Sequence, residues 1–368
     1  MNDAMTPERS QPVRLVVETK YQDLISVTVE TLGLGTSEVE DGRPELGLSL
    51  LPLTSPVGDL DAVLAELRRR IAAEHGGWVP SLGKERDAFS TVMRGGHPKP
   101  TSLLLPEVPT DDDAAAAIVD TPAAVPPDAV RVGVVDTAVA DLSDGGEAWR
   151  AHSAFVASIV RQAAPDVDLR SEPALSLDSG QGSTWDVADA IVKLAFVDRV
   201  QIVLLPLACF TADGQPPLLL ERAIACLPPE VLVIAAAGNQ IADDGWSPLG
   251  RGPRSAAWPA ALAQVKAVSA DFGTNVTPQP WVDALASKVE FVGPFFHGSV
   301  VVSVPGEELD EREFAGTARW RGTSFSAAYA TGLVAARMDA QTTAHAAWDA
   351  LLADGTELAA PPPPVDPS

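Results

Sequence analysis

The sequence predicts an α/β protein with a doubly wound, mostly parallel sheet, preceded by a small α+β domain. Over residues 131–270, short and nearly continuous apolar runs alternate with stretches of helical apolar spacing. Such runs are typical of strands buried on both faces, and helices between them allow parallel connections. An acidic stretch rich in proline and alanine, 106–130, predicts a linker. We therefore expect an N-terminal domain at 1–105 and a larger domain at 131–355.

The N-terminal domain is predicted to contain three strands and one helix. Residues 13–18 and 25–31 alternate between apolar and polar side chains, and 46–53 is an apolar run, so each predicts a strand. Residues 58–74 predict an amphipathic helix, because their apolar side chains recur on one face. Those side chains are Leu60, Val63, Leu64, Leu67 and Ile71. None of these elements carries an obvious catalytic pattern.

The larger domain is predicted to alternate strands and helices, up to the proline-rich residues 356–368, which predict a disordered tail. Strands are predicted at 131–136, 166–170, 201–207, 230–239 and 264–270. Helices are predicted to begin near Trp149 or His152 and to cover 183–197 and 217–227. In such sheets the working side chains gather at the carboxyl ends of the strands. Asp136 and Asn239, which follow apolar strands, are placed there by topology alone.

The charge and hydropathy of the chain limit its partners. Lys and Arg total 26 against 50 Asp and Glu, a formal net charge of −24. Such a surface repels phosphate, which disfavours nucleic acid and anionic membranes as partners. The sequence shows neither an apolar run of the roughly 20 residues that a membrane helix needs nor the apolar core of a secretory signal. We expect a cytoplasmic protein.

The composition predicts neither a metal nor a cofactor. The two cysteines, Cys209 and Cys226, cannot build a disulfide framework. The acidic run at 111–113 lies in the predicted linker, where a solvated charge run is a simpler interpretation than a ligand set.

Four polar residues carry the functional prediction, although each has a plain structural interpretation alone. Asp136 ends a strand, His152 opens a helix, Asn239 follows a glycine, and Ser324 precedes a helix as an N-cap would. Together they supply the groups that acyl transfer requires. A serine hydroxyl needs a base to take its proton, and imidazole titrates in the right range. A carboxylate orients the imidazole, and an amide donates to the oxyanion.

At these residues the sequence resembles the subtilisin-like serine proteases. The usual motifs of that family are Asp-Thr/Ser-Gly, His-Gly-Thr-His-Val-Ala-Gly, Ala-Ala-Gly-Asn and Gly-Thr-Ser-Met-Ala-Thr-Pro-His-Val-Ala-Gly. Their counterparts here, in the same order, are DTA at 136–138, HSAFVAS at 152–158, AAGN at 236–239 and GTSFSAAYATG at 322–332. The resemblance implies a serine endopeptidase. Ser324 would be the nucleophile, His152 the base and Asp136 its orienting group, while Asn239 and the Ser324 amide would bind the oxyanion.

The resemblance also implies a peptide-binding strand and pocket. The residues implied to bind a protein or peptide substrate are Leu205, Pro206, Leu207, Ala208, Ala236, Ala237, Gly238 and Thr323. Peptides bind such an edge by adding a strand to it. The family usually has Ser-Leu-Gly-Gly where this chain has PLAC at 206–209. Proline removes a backbone donor and the larger side chains narrow the pocket, so we expect restricted specificity.

Two alternatives stay open at the level of the sequence. The chain is either an active peptidase or a catalytically inactive protein of this fold that binds peptides or serves as a scaffold. The related serine-carboxyl peptidases use Glu and Asp, and place an Asp at the oxyanion, so His152 and Asn239 argue against that variant. The N-terminal domain is either a propeptide-like inhibitor resting on the enzyme or a permanent recognition domain that contacts a partner.

Overall fold

The computed structural model describes residues 13–90, 105–109, 125–143, 148–211, 214–239, 257–270, 286–287, 290–302 and 310–354. Its first six elements form an antiparallel sheet, ordered β2-β3-β1-β4, with two helices on one face. They are β1 (Arg14–Glu18), α1 (Gln22–Thr31), β2 (Glu40–Asp41), β3 (Leu48–Pro52), α2 (Leu60–Glu74) and β4 (Leu82–Lys84). The next strand, β5 (Asp87–Ser90), leaves this sheet and joins the sheet of the larger domain.

One predicted strand, 25–31, is wrong, because these residues belong to helix α1. The buried residues of α1 are Ile25, Thr28 and Val29, which have the spacing of one helix face. Val27, which a half-buried strand would bury together with Ile25, is 60% exposed. The alternation of apolar and polar side chains over these seven residues is compatible with the period of a strand and with that of a short helix. Packing against the sheet selects the helix.

The N-terminal sheet is buried on both faces. Successive side chains of its strands point to opposite faces, and those on each face pack into a different cluster. Leu15, Val17 and Leu51 pack with the residues of α1 and α2. Val16 and Leu50 point the other way and join a cluster that includes side chains of the larger domain. The sheet therefore lies between its own two helices and the rest of the protein.

The larger domain is built on a parallel sheet, as the sequence predicts. Its strands are β6 (Arg131–Thr137), β7 (Asp168–Leu175), β8 (Gln181–Ser183), β9 (Ile202–Leu205), β10 (Leu207–Ala208), β11 (Leu232–Ala236), β12 (Val265–Ala270) and β13 (Ala286–Ser287). The segment β7-β6-β9-β11-β12-β13 is parallel throughout. Strands β8, β5 and β10 extend it by antiparallel pairing.

Helices cover both faces of this sheet, so the predicted doubly wound fold is confirmed. They are α3 (His152–Ala163), α4 (Thr184–Phe196), α5 (Leu218–Ala225), α6 (Thr323–Arg337) and α7 (Ala344–Ala353). Helices α4 and α5 pack on one face, and α3, α6 and α7 pack on the other.

A long antiparallel hairpin, β14 (Glu290–Val302) with β15 (Asp310–Arg321), was not anticipated from the sequence. Part of the predicted linker lies along its outer edge. The backbones of Glu107 and Arg319 exchange two hydrogen bonds of 2.8 Å, and Leu105 is buried in the core. Residues 110–124 of the linker and the predicted tail at 356–368 lie outside the described residues, and the domain boundaries stay predictions.

Helices α3 and α6 approach each other closely at Gly332. A Cβ atom at this position would lie 2.6 Å from the carbonyl oxygen of Val160 and 2.7 Å from the Cβ of Ala163. Glycine therefore sets the separation of the helices whose first turns carry His152 and Ser324.

We expect Gly332→Ala to destabilise the protein. Overpacking costs about 1–3 kcal/mol, whereas alanine gains only about 1 kcal/mol in helix propensity. The melting temperature should fall by a few degrees relative to that of the parent chain. Gly58→Ala is the matched control, because nothing lies within 4 Å of its added Cβ. A melting temperature of Gly332→Ala at or above that of the parent would show that the helices separate freely.

Candidate active site

A buried hydrogen bond joins the predicted aspartate and histidine. Asp136 lies near the end of β6 and His152 opens α3, and both side chains are 0% exposed. The distance from Asp136 Oδ2 to His152 Nδ1 is 2.7 Å. The other oxygen, Oδ1, accepts the backbone N–H of Thr137 at 2.8 Å. The carboxylate is therefore satisfied at both oxygens by groups that hold it in place.

Aromatic side chains enclose the imidazole. The ring of His152 lies 5.9 Å from the ring of Trp320, centroid to centroid, and 5.4 Å from that of Phe325. Its Nε2 atom is buried and has no hydrogen-bond partner within the described part of the chain. With Nδ1 donating to Asp136, Nε2 is the acceptor of the neutral ring. The ring thus presents a proton acceptor in a water-poor surrounding.

The predicted nucleophile lies in the first turn of α6. Ser324 is fully buried, and its hydroxyl donates to the carbonyl oxygen of Pro206 at 3.0 Å. The helix follows Gly322, whose φ of +156° lies outside the range that other residues favour. Phe325, the residue after Ser324, contacts the imidazole. The structure thus brings Ser324 to the histidine helix but directs its hydroxyl at the turn between β9 and β10.

The amide of Asn239 lies beside the same helix start. Its Oδ1 accepts the backbone N–H of Thr323 at 2.9 Å and the Thr323 hydroxyl at 3.0 Å. Because the carbonyl side of the amide is engaged in this way, its Nδ2 donor faces another direction. That Nδ2 atom lies 3.4 Å from the position of a Cβ at Gly322. Thr323, predicted to bind substrate, acts in this structure on the orientation of Asn239.

The residues before Asn239, which are predicted to bind substrate, lie at the end of β11. Ala236 and Ala237 are fully buried, and the N–H of Ala237 donates to the carbonyl of Val268 at 2.9 Å. Gly238 has a φ of +92°, which turns the chain out of the strand. This turn delivers Asn239 to the carboxyl end of the sheet.

The predicted peptide-binding edge is occupied by the chain itself. Strand β5 pairs antiparallel with β10, with Ser90 opposite Leu207 and Phe89 opposite Ala208. On its other side β5 pairs with β8, and the N–H of Ser90 donates to the carbonyl of Gly180 at 2.9 Å. Strand β5 thus fills a groove between the edges of β8 and β10, and β10 begins directly after Pro206, which accepts the Ser324 hydroxyl.

The residues around Cys209 close the far end of β10. The backbones of Cys209 and Trp258 exchange two hydrogen bonds of 2.7 and 2.9 Å, and the indole N–H of Trp258 donates to the Thr211 hydroxyl at 3.1 Å. Cys209 is fully buried. Three hydrogen bonds therefore hold the chain in place at this end of the groove.

Two arginines connect the N-terminal sheet to the helices of the larger domain. Arg222 of α5 donates to the carbonyl of Leu46 at 3.3 Å and to Glu18 at 3.4 Å. Arg43 donates to the carboxylate of Asp189, in α4, at 3.0 Å. Together with the shared apolar cluster, these contacts seat the N-terminal sheet on α4 and α5.

A further contact anchors the start of β5. Arg14 Nη2 donates to Glu85 Oε1 at 2.7 Å. Burial raises the pKa of the Glu85 carboxyl, and the neighbouring Arg14 and the Ser183 hydroxyl oppose that shift. Because Ser183 caps α4, Glu85 ties the segment before β5 to the larger domain.

Several of these features escaped sequence reasoning. The aromatic residues around His152 come from the unanticipated hairpin and from α6, and β5 is too short to show a period. Within the described ranges, no cluster of three or more His, Cys, Asp or Glu could hold a metal ion. The helices of the described part are all too short or too polar to cross a membrane.

Neither a family model nor a curated protein matches the chain. It is similar to the solved structure of the prenylagaramide maturation protease PagA, with 25% identity over 56% of this chain and 74% of that one, and a TM-score of 0.39. A lanthipeptide protease is 17% identical over 60% and 78% of the two chains, with a TM-score of 0.43. Fervidolysin from Fervidobacterium pennivorans, a keratinolytic enzyme related to subtilisin, is 13% identical over 91% and 55%, with a TM-score of 0.49.

All three are described as proteases or proteolytic enzymes. In its doubly wound sheet and in the chain order of its aspartate, histidine, asparagine and serine, the chain is similar to the subtilisin-like serine proteases.

Proposed function

We propose that the chain is a serine endopeptidase that hydrolyses peptide bonds through an acyl-enzyme. The observation that carries the proposal is the buried hydrogen bond of 2.7 Å between Asp136 and His152. It leaves Nε2 of His152 as an acceptor close to the helix start that holds Ser324. A buried carboxylate–imidazole pair with one unused proton acceptor is what a general base requires.

In the proposed reaction, Ser324 Oγ attacks the carbonyl carbon of the substrate while its proton passes to Nε2 of His152. The oxyanion accepts hydrogen bonds from Nδ2 of Asn239 and the backbone N–H of Ser324. His152 then gives its proton to the leaving amine, and the acyl ester stays on Ser324. His152 then takes a proton from a water molecule, whose oxygen attacks the ester carbonyl. The bond between the acyl carbon and Ser324 Oγ breaks, His152 returns the proton to Oγ, and the peptide acid leaves.

In this proposal, the observed arrangement is the resting state of the reaction. The hydroxyl of Ser324 donates to Pro206 rather than to Nε2 of His152. A change of the Ser324 rotamer is therefore required before the base can take the proton. Pro206 has no backbone N–H, so its carbonyl is the polar group that it offers at this turn.

We further propose that the N-terminal domain is an intramolecular inhibitor. Its β5 strand occupies the groove between β8 and β10, where a peptide substrate would add as a strand. Arg222 and Arg43 hold the N-terminal sheet on the helices beside that groove. A permanent recognition domain would leave the groove open, so the paired β5 strand favours the inhibitor.

The alternative is a catalytically inactive protein that binds peptides in the same groove. The contact of Ser324 with Pro206 and the lone Nε2 of His152 are the observations that favour it. The peptidase requires an activated serine and the inactive peptide-binding protein does not, so a test for an activated serine distinguishes the two functions.

A fluorophosphonate probe should label Ser324 in the wild-type chain. Labelling should vanish in Ser324→Ala and fall steeply in His152→Ala, because the hydroxyl then lacks a base. Ser326→Ala is the matched control, since this buried hydroxyl lies in the same helix and donates to the carbonyl of Gly322. Mass spectrometry of the labelled peptide locates the adduct.

Arg222→Ala loosens the N-terminal sheet and should speed this labelling. If neither the wild type nor Arg222→Ala is labelled while both remain folded by circular dichroism, the inactive alternative is correct.

Asn239→Ala should reduce turnover of a peptide substrate by about 100- to 1,000-fold, the usual loss for one oxyanion donor. KM should change far less, because the amide acts on the developing charge. Thr323→Ser retains the hydroxyl that holds Asn239 and serves as the control. Wild-type turnover in a folded Asn239→Ala protein would remove this residue from the mechanism.

The full-length chain should cut itself between the two domains. Intact-mass measurements over time should show the 38.4 kDa chain converting to two fragments, with the cut after Ser90 and before Leu105. Ser324→Ala should remain intact under the same conditions, and Ser326→Ala should be processed normally. Equal fragmentation of purified Ser324→Ala would mean that another protease makes the cut.

A further inference from the structure

The strand in the groove shows which side chains the groove accepts. Successive side chains of a strand point to opposite faces, so the four residues of β5 divide into two pairs. Asp87 is exposed and Phe89 is half-buried, whereas Ala88 and Ser90 are both 0% exposed. The two inward positions are held by two of the smallest side chains in the amino-acid set.

The side chain of Ala88 is buried in a cluster formed with side chains of the larger domain. Ala88 lies opposite Gly182 of β8, and cross-strand partners present their side chains on the same face. A Cβ on Gly182 would lie 2.0 Å from the carbonyl oxygen of Ala174 and 2.9 Å from the side chain of Leu175. Ala88 belongs to the same packed cluster as these two residues. A longer side chain at Ala88 would have to displace atoms of this cluster.

The hydroxyl of Ser90 does not match the surroundings in which it is buried. Ser90 lies opposite Leu207, and its backbone is held by the carbonyl of Gly180. Its hydroxyl is buried without a hydrogen-bond partner in the described residues. An unsatisfied buried hydroxyl weakens a binding equilibrium by about tenfold or more, and alanine, which lacks only the oxygen atom, avoids that cost. The groove at this point suits a methyl group better than a hydroxyl.

We propose that the groove selects peptides with small apolar side chains at the two positions now held by Ala88 and Ser90, and favours alanine over serine at the second. The inference rests on the peptidase function proposed above. Its substrates are extended peptides that carry small side chains at alternate residues on the amino-terminal side of the cleaved bond. The chain's own serine makes β5 a weaker ligand than such a substrate, so the strand can be displaced.

Hydrogen exchange tests the groove without requiring catalysis. In the full-length Ser324→Ala chain, Ser90→Ala should slow exchange of the peptide covering 86–90 by about tenfold, after correction for intrinsic rates, because the buried hydroxyl is gone. Ser90→Leu should speed it by about tenfold or more, because the larger side chain cannot pack. Phe89→Leu, on the outward face, is the matched control and should change exchange little.

Peptide hydrolysis tests selection of substrates. Internally quenched peptides that copy residues 85–94 are offered to the self-processed enzyme, with Ala, Ser, Val or Leu at the position of Ser90. We expect kcat/KM to be about tenfold higher for Ala than for Ser, and lower again for Val and Leu. The same replacements at the position of Phe89 should have smaller effects.

The outcomes separate the two proposals. If no peptide is hydrolysed but the exchange rates show the expected order, the peptidase function fails and selection by the groove stands. If peptides with Leu at the position of Ser90 are cut better than those with Ala, or if Ser90→Ala exchanges as fast as Ser90→Leu, selection for small side chains is overturned.

Discussion

The buried hydrogen bond between Asp136 and His152 is the interaction on which the site depends. A carboxylate without solvent contact is stable only when its oxygens are paired, and here one takes the imidazole and the other a backbone N–H. This pairing assigns the tautomer of the ring, and the surrounding aromatic rings of Trp320 and Phe325 prevent it from turning away. The helices of His152 and Ser324 then need only be brought close, which the glycine contact between them achieves.

The proposed inhibition by β5 and the position of the Ser324 hydroxyl both involve the same strand edge, which runs from Pro206 into β10. The carbonyl of Pro206 accepts the Ser324 hydroxyl at the point where β9 ends, and β10 pairs with β5 directly after it. The edge that is proposed to bind a peptide therefore also bears on the position of Ser324. Because the intruding strand belongs to the same chain, its effective concentration at the groove is high as long as the connection is intact.

The sequence predicted the parallel sheet well and the antiparallel additions poorly. Strands such as β6 and β11 are continuous apolar runs, so burial on both faces is visible in the composition of each segment alone. The pairing of β5 with β10 joins residues that are distant in the chain, and a strand as short as β5 carries no period that could announce it. The alternating 25–31 segment shows the opposite failure, since its pattern was clear but fitted two structures.

The candidate site divides in the same way. Residue types and chain order predicted Asp136, His152, Asn239 and Ser324 as site residues, because acyl transfer requires a particular set of functional groups. The hydrogen bond from Ser324 to Pro206 depends on a rotamer, and the enclosure of His152 by Trp320 depends on how the hairpin folds back. Neither feature leaves a local mark in the sequence.

The N-terminal sheet is buried on both faces, and this burial would determine its behaviour after the proposed cleavage. Val16, Leu48 and Leu50 are fully buried against the larger domain, and detachment would transfer them to water. A released fragment would expose this apolar surface, so it would aggregate or bind again to the larger domain. Release of the fragment would become permanent only when the fragment is degraded. Activation of the larger domain would then be irreversible, because degradation removes the species that could bind again.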